Sequence, residues 1–186
     1  MVEFILGGMT VMGKLILIKP QTEYISEIQS FKQEFFDCAS NTAGDSALSE
    51  TKNISDWIEQ CRLMENKETI LNPDWVEAEQ FMLVQEGQRR ILGMINFRHS
   101  LNEYLAEIGG HIGYSVRPTE RNKGYAKIML ALCLEKCKEF GLREVLISCD
   151  ADNEASKRTI IACGGSFDRT IEDDGKMIER YWVNLT

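Results

Sequence analysis

Ten residues, RPTERNKGYA at 117–126, gather Arg117, Arg121 and Lys123 against Gly124 just where an apolar-periodic segment begins. A helix N-terminus exposes unpaired backbone N–H groups and carries about half a positive charge. If the preceding loop bends so that successive N–H groups converge, the site binds phosphate. Gly124 lets an anion approach the main chain with no Cβ in the way, and Ala126 is small for the same purpose. Arg121 and Lys123 can add charge-assisted contacts. This composition suits the holding of a phosphorylated ligand; a solvated helix cap is the plainer alternative. Two other phosphate loops are excluded, because the chain contains neither GxxxxGKS/T nor GxGxxG.

Other chemistry-bearing residues point to less. Asp150-Ala151-Asp152-Asn153-Glu154 alternates oxygens as calcium loops do. The sixth position, however, is Ala155 and the twelfth is Ile161, so no metal site is expected. The six cysteines form no CxxC pair. Cys133 and Cys137, four apart in a helical pattern, share a face and read as buried reduced thiols.

The elements that would position the charged loop follow from periodicity. LILIK at 15–19 is a first strand stopped by Pro20, and apolar positions recur at helical spacing from Thr22 to Cys38. Residues 40–53 are polar and turn-rich, and a second helix covers 55–64. Residues 65–78 give no clear period, although Asn72-Pro73 marks a turn. FMLVQ at 81–85 and ILGMINFRHSL at 91–101 flank a short turn and predict a hairpin. GGHIGYSV at 109–116 is a strand, a long helix runs from about Lys123 to Phe140 with Gly141 as its stop, and EVLISC at 144–149 is another strand. A last helix spans Asn153 to Cys163, and two strands pair around Asp173-Asp174-Gly175. Strand, helix and strand over 109–149 make a right-handed parallel crossover. The expected fold is α/β, with a mixed, mostly antiparallel sheet of six or seven strands around that crossover and helices on both faces.

With 186 residues and 44% hydrophobic content, the chain supports one domain with a core. Residues 1–13 read as an N-terminal extension and 14–186 as the single domain. A formal charge of −8 argues against nucleic acid and favours cationic ligands such as amines. The N-terminal stretch lacks a basic leader and an eighteen-residue apolar run, so neither secretion nor a membrane span is expected, and the cytoplasm is the expected location.

Arg121-Asn122-Lys123-Gly124-Tyr125-Ala126 resembles the (R/Q)xxGx(G/A) pyrophosphate loop of the GNAT superfamily of acetyl-CoA-dependent N-acetyltransferases, and it follows a strand as that loop does. Asn153-Glu154-Ala155-Ser156 is similar to the family's NxxS/A segment, whose asparagine contacts the cofactor. The order of elements from 80 to 183 agrees, while 15–80 diverges. HIGYSVRP, KGYA and the glycines at 164–165 resemble a bacterial subgroup of predicted acetyltransferases.

The resemblance implies acetyl-CoA as cofactor. Main-chain groups of Tyr114, Ser115 and Val116 would bond the pantetheine arm, and N–H groups from Arg121 to Ala126 would hold the pyrophosphate. Asn153 and Ser156 would line the other side, Asn153 being equally suited to cap a helix. Acetyl transfer needs a neutral amine, an oxyanion donor and sometimes an acid for the thiolate. The position where the family often has a glutamate is Gly110, and the position of its usual tyrosine acid is Ile160. His111 and Glu107 are the substitute bases, with a hydrogen-bonded structural histidine and a solvated carboxylate as their alternatives. The implied activity is direct acetyl transfer to a primary amine of a small molecule or protein. Its rival is an acyl-CoA-binding or sensing module of weak catalysis. A homodimer is compatible with the chain.

Overall fold

The computed structural model describes residues 13–186, so the expected extension lies, apart from Gly13, outside the described residues. Among the described residues, seven strands form one sheet: β1 (Leu15–Ile18), β2 (Ala78–Gln85), β3 (Ile91–Arg98), β4 (Ile112–Val116), β5 (Glu144–Asp150), β6 (Gly165–Asp173) and β7 (Lys176–Asn184). Their order is β1-β2-β3-β4-β5-β7-β6, and only β4 and β5 run parallel. Four helices accompany them: α1 (Ile25–Asp37), α2 (Ile54–Leu63), α3 (Tyr125–Phe140) and α4 (Glu154–Ala162). No helix of the described residues is long and apolar enough to cross a membrane.

Strand alternation sorts the side chains into two cores. Met82, Val84 and Met94 meet Ile28, Phe31, Phe35 and Trp57 of α1 and α2 on one face. Phe81, Leu83, Ile95 and Phe97 meet Met129, Leu130 and Cys133 of α3 on the other, together with Ile160 of α4. The pairing of β2 with β3 shifts register between Leu83 and Val84 and skips Leu92; Ile91 and Leu92, alternating along the strand, are buried in different cores. Trp57, Phe31 and Phe35 are fully part of the α1–α2 core; Phe36 is exposed.

Two expected boundaries move for backbone reasons. The long helix begins at Tyr125 rather than Lys123, because Asn122 and Gly124 take left-handed conformations with φ of 62° and 81°. The strand expected from 109 starts at Ile112: Leu105–Gly109 coil into a π turn, and Gly110, at φ 64°, redirects the chain.

Candidate active site

β4 and β5 share one register pair, Ile112 with Ile147, and then part. Beyond it the far edge of β5 stays paired with β7 from Glu144 to Asp150, and the far edge of β4 stays paired with β3 through Val116. A wedge therefore opens toward the C-terminal ends of both strands. Arg98 N–H donates to the His111 carbonyl and Arg117 N–H to the Leu92 carbonyl, so odd-numbered residues of β4 face β3. By alternation Tyr114 and Val116 turn their N–H and C=O groups into the wedge. The main chain of Ser115 is spent on β3, and its buried Oγ has no partner among the described residues. The sequence assigned all three to one role; the ladder separates Ser115 from the other two.

The apex is pinned by His111. Its N–H donates to Leu146 O at 2.7 Å, and its Nδ1 accepts from Leu146 N–H at 3.0 Å. Burial, and then the nearby Arg98 guanidinium, lower its pKa to about 4, so the ring is neutral at pH 7. Nδ1 is committed to the backbone, and such a ring is a weak base. Arg98 itself donates to the carbonyls of Gly109 and Gly110 at 2.9 and 3.0 Å. Glu107, in the π turn, accepts from Arg169 at 2.7 Å and Arg180 at 3.2 Å through one oxygen. The structure thus gives each substitute base a structural partner and brings neither to the other. Gly110 has a steric reason to be glycine: a Cβ there would lie 2.7 Å from Leu146 O.

After β4 the chain passes a short 3-10 turn, Pro118–Glu120, and enters α3. Arg117, fully buried, locks this exit by bonding Glu27, Glu34 at 2.7 Å, Ser30 at 2.8 Å and Ile91 O at 3.1 Å. The left-handed pair Asn122 and Gly124 then turns the loop so that the N–H groups of residues 122–127 carry no hydrogen bond among the described residues. No acidic residue occupies the first turn of α3, and Lys127 is exposed there. Unpaired amides at a helix N-terminus beside cations constitute an anion site. Arg121 donates to Ser40 Oγ at 2.7 Å and to Val116 O at 3.3 Å, while Lys123 pairs with Glu120 at 2.9 Å. The amides, more than these two side chains, are left free for a ligand.

Across the wedge, Asn153 caps α4 by accepting from Ser156 N–H at 3.1 Å. The Tyr114 hydroxyl spans the gap to Ser156 Oγ at 2.8 Å. Burial raises its pKa to about 12 against the opposing Ser156 bond, which keeps it protonated. Ile160 is fully buried beneath Gly165 and cannot reach the wedge. Sequence reading gave Tyr114 only a main-chain role; its side-chain position depends on α4 lying beside β4, which no local signal reports.

A family model for the acetyltransferase (GNAT) domain matches residues 33–166. No curated protein matches the chain. Among solved structures, the microcin C7 self-immunity acetyltransferase MccE, in complex with acetyl-CoA and AMP, is 20% identical over 95% of this chain and 96% of that one, with a TM-score of 0.64. Mycobacterium smegmatis RimJ, in complex with a CoA disulfide, is 14% identical over 92% and 82%, with a TM-score of 0.69. RimL, the ribosomal L7/L12 α-N-protein acetyltransferase in complex with coenzyme A, is 13% identical over 91% and 93%, with a TM-score of 0.67. At such identities the likeness shows the fold.

Proposed function

Because the chain belongs to the GNAT acetyltransferase family and is an acyltransferase, we propose that it binds acetyl-CoA in the β4–β5 wedge and transfers the acetyl group directly to a primary amine of a small molecule or protein. The observation that carries this reading is the run of unpaired amides at 122–127, beside a strand edge that β5 has left. A diphosphate suits those amides. The N–H and C=O groups of Tyr114 and the N–H of Val116, turned away from β3, suit the amides of a pantetheine arm, as an added strand would; the Val116 carbonyl already accepts from Arg121. Asn153, already a helix cap, and Ser156 form the opposite wall.

Acetyl-CoA supplies the thioester; the residues supply position and protons. The Tyr114 hydroxyl, protonated at neutral pH, is a donor for the departing thiolate and takes the part that Ile160 cannot. His111 acts as a positioning residue that holds the apex closed through Leu146. With His111 neutral and Glu107 held by two arginines, the acceptor enters as the free amine and gives its proton to water. Calorimetry tests the reading: acetyl-CoA binds the wild type, and Gly124→Val weakens it at least ~10-fold by placing a branched side chain at a left-handed position against the diphosphate. Absence of acyl-CoA binding by the folded wild type refutes it.

A further inference from the structure

Two adjoining cavities, of about 600 and 330 Å³, lie on the α1–α2 side of the sheet. The larger has Asp74, Glu77 and Glu103 in its lining. The smaller differs in kind, because β3 sends Arg98 into it. Arg98 follows Phe97, whose ring belongs to the α3-side core, so by alternation its side chain leaves the sheet on the opposite face.

Arg98 is a cation without an anion. Its Nη1 donates to the carbonyls of Gly109 and Gly110 at 2.9 and 3.0 Å, while Nε and Nη2 have no acceptor among the described residues. Neither atom is sealed from solvent, since the described atoms that are both buried and unpartnered are Ser115 Oγ and Arg180 Nε. Arg117 and Arg180, the more deeply buried arginines, each pair with two carboxylates: Glu27 and Glu34 for one, Glu107 and Asp168 for the other. Arg98 pairs with none of the described residues, and burial lowers its pKa with no carboxylate to offset the cost. Asp45 and Asp74 line the same cavity but stand apart from the guanidinium. The Asp45 carboxylate accepts from the Thr42 hydroxyl and the Ser49 N–H, and Asp74 lies where the two cavities meet.

A largely desolvated guanidinium with an idle edge is costly when left alone. Its Nε–H and Nη2–H point the same way and match the two oxygens of one carboxylate. The remaining lining describes the rest of a ligand: Met64, Trp75, Val76, Ala78 and Leu105 are apolar, and the volume suits a small molecule. The carboxylates of the larger cavity repel a second negative charge.

We propose that the smaller cavity binds a small monocarboxylate, with its two oxygens on the Nε–Nη2 edge of Arg98 and its uncharged apolar body against Trp75, Val76 and Leu105. The site is separate from the acetyl-CoA wedge and goes beyond the transfer reading, on which it does not depend.

Calorimetric titration of the full chain tests it, with excess coenzyme A present so that the amides at 122–127 are filled. Phenylacetate is compared with phenylacetamide, which has nearly the same shape and no charge. Phenylacetate binds at least ~10-fold tighter, as two charge-assisted hydrogen bonds require. Arg98→Met brings phenylacetate down to the affinity of the amide. That change also releases two carbonyls and can unfold the turn, so a second variant leaves Arg98 in place. Val76→Trp fills the cavity and weakens phenylacetate at least ~10-fold, with circular dichroism unchanged. Equal affinity of the wild type for the two probes, or no binding of either, overturns the proposal. A folded Val76→Trp that binds phenylacetate like the wild type does the same. Phenylacetate that binds only when coenzyme A is left out also overturns it, by assigning the anion to the wedge.

Discussion

Replacing Glu34 by glutamine should loosen the joint between α1 and the loop that leads into α3. Glu34 accepts from Arg117 Nε at 2.7 Å, from the Thr119 amide at 2.9 Å and from the Thr119 hydroxyl at 2.8 Å. Burial works against its ionisation, but the Thr119 and Arg117 donors outweigh it and hold the carboxyl at about 2 rather than 4.5. That difference corresponds to about 3.4 kcal/mol, and with the side chain 19% exposed, solvent screening brings it nearer ~2 kcal/mol. The folded-state pKa is depressed, so the stabilisation is full above the unfolded value near 4.5 and is lost as pH falls toward 2. Glu34→Gln also leaves the fully buried Arg117 with one carboxylate fewer, so the total loss at pH 7 is ~2–4 kcal/mol. Urea unfolding of wild type and variant at pH 7 and pH 3 reads the effect. The gap between them should shrink by about half at pH 3, because there the carboxyl of the unfolded chain is already protonated while the native one is still mostly ionised. A gap below ~0.5 kcal/mol at pH 7, or one of equal size at both pH values, would refute the reasoning.

Further outcomes concern the chemistry. Tyr114→Phe should lower kcat ~10-fold while leaving the acetyl-CoA affinity within about twofold, since a thiolate leaves readily and only the proton donor is removed; an unchanged kcat in steady-state thiol-release assays would free Tyr114 of that role. With no side-chain base acting, log(kcat/KM) for the amine should climb with unit slope to about pH 9, following the acceptor's own ionisation. A plateau beginning near pH 4, where the His111 ring loses its proton, would instead assign proton removal to His111.

Much of the site was legible because it is local. Phosphate loops are made by consecutive main-chain groups, so Gly124 and its cationic neighbours announce themselves in eight residues. The crossover from β4 through α3 to β5 follows from hydrophobic period and from Gly141, and the cap at Asn153 from its place before α4. What stayed hidden depends on elements distant in sequence. His111 could be weighed as a base only while its contact with Leu146, 35 residues away, was unseen. The same holds for the 42 residues between Tyr114 and Ser156. Residues 65–77 show no period because they are mostly turns, yet with Gly44–Ala47 they line the two cavities on the α1–α2 side of the sheet. Loops carry recognition with little periodic signal.

Arg117 has one more consequence, for how this chain could be cut. A fragment beginning at β2 would keep every residue that resembles the acetyltransferase motifs, from Arg121 to Ser156. It would also strip Glu27, Ser30 and Glu34 from Arg117 and lay bare the Met82, Val84 and Met94 face that α1 and α2 cover. The motif-bearing half is thus not autonomous. The helix that carries none of the family's motifs, α1, acts as its keystone, and grafting only the motifs onto another scaffold would transplant a lock without its bolt.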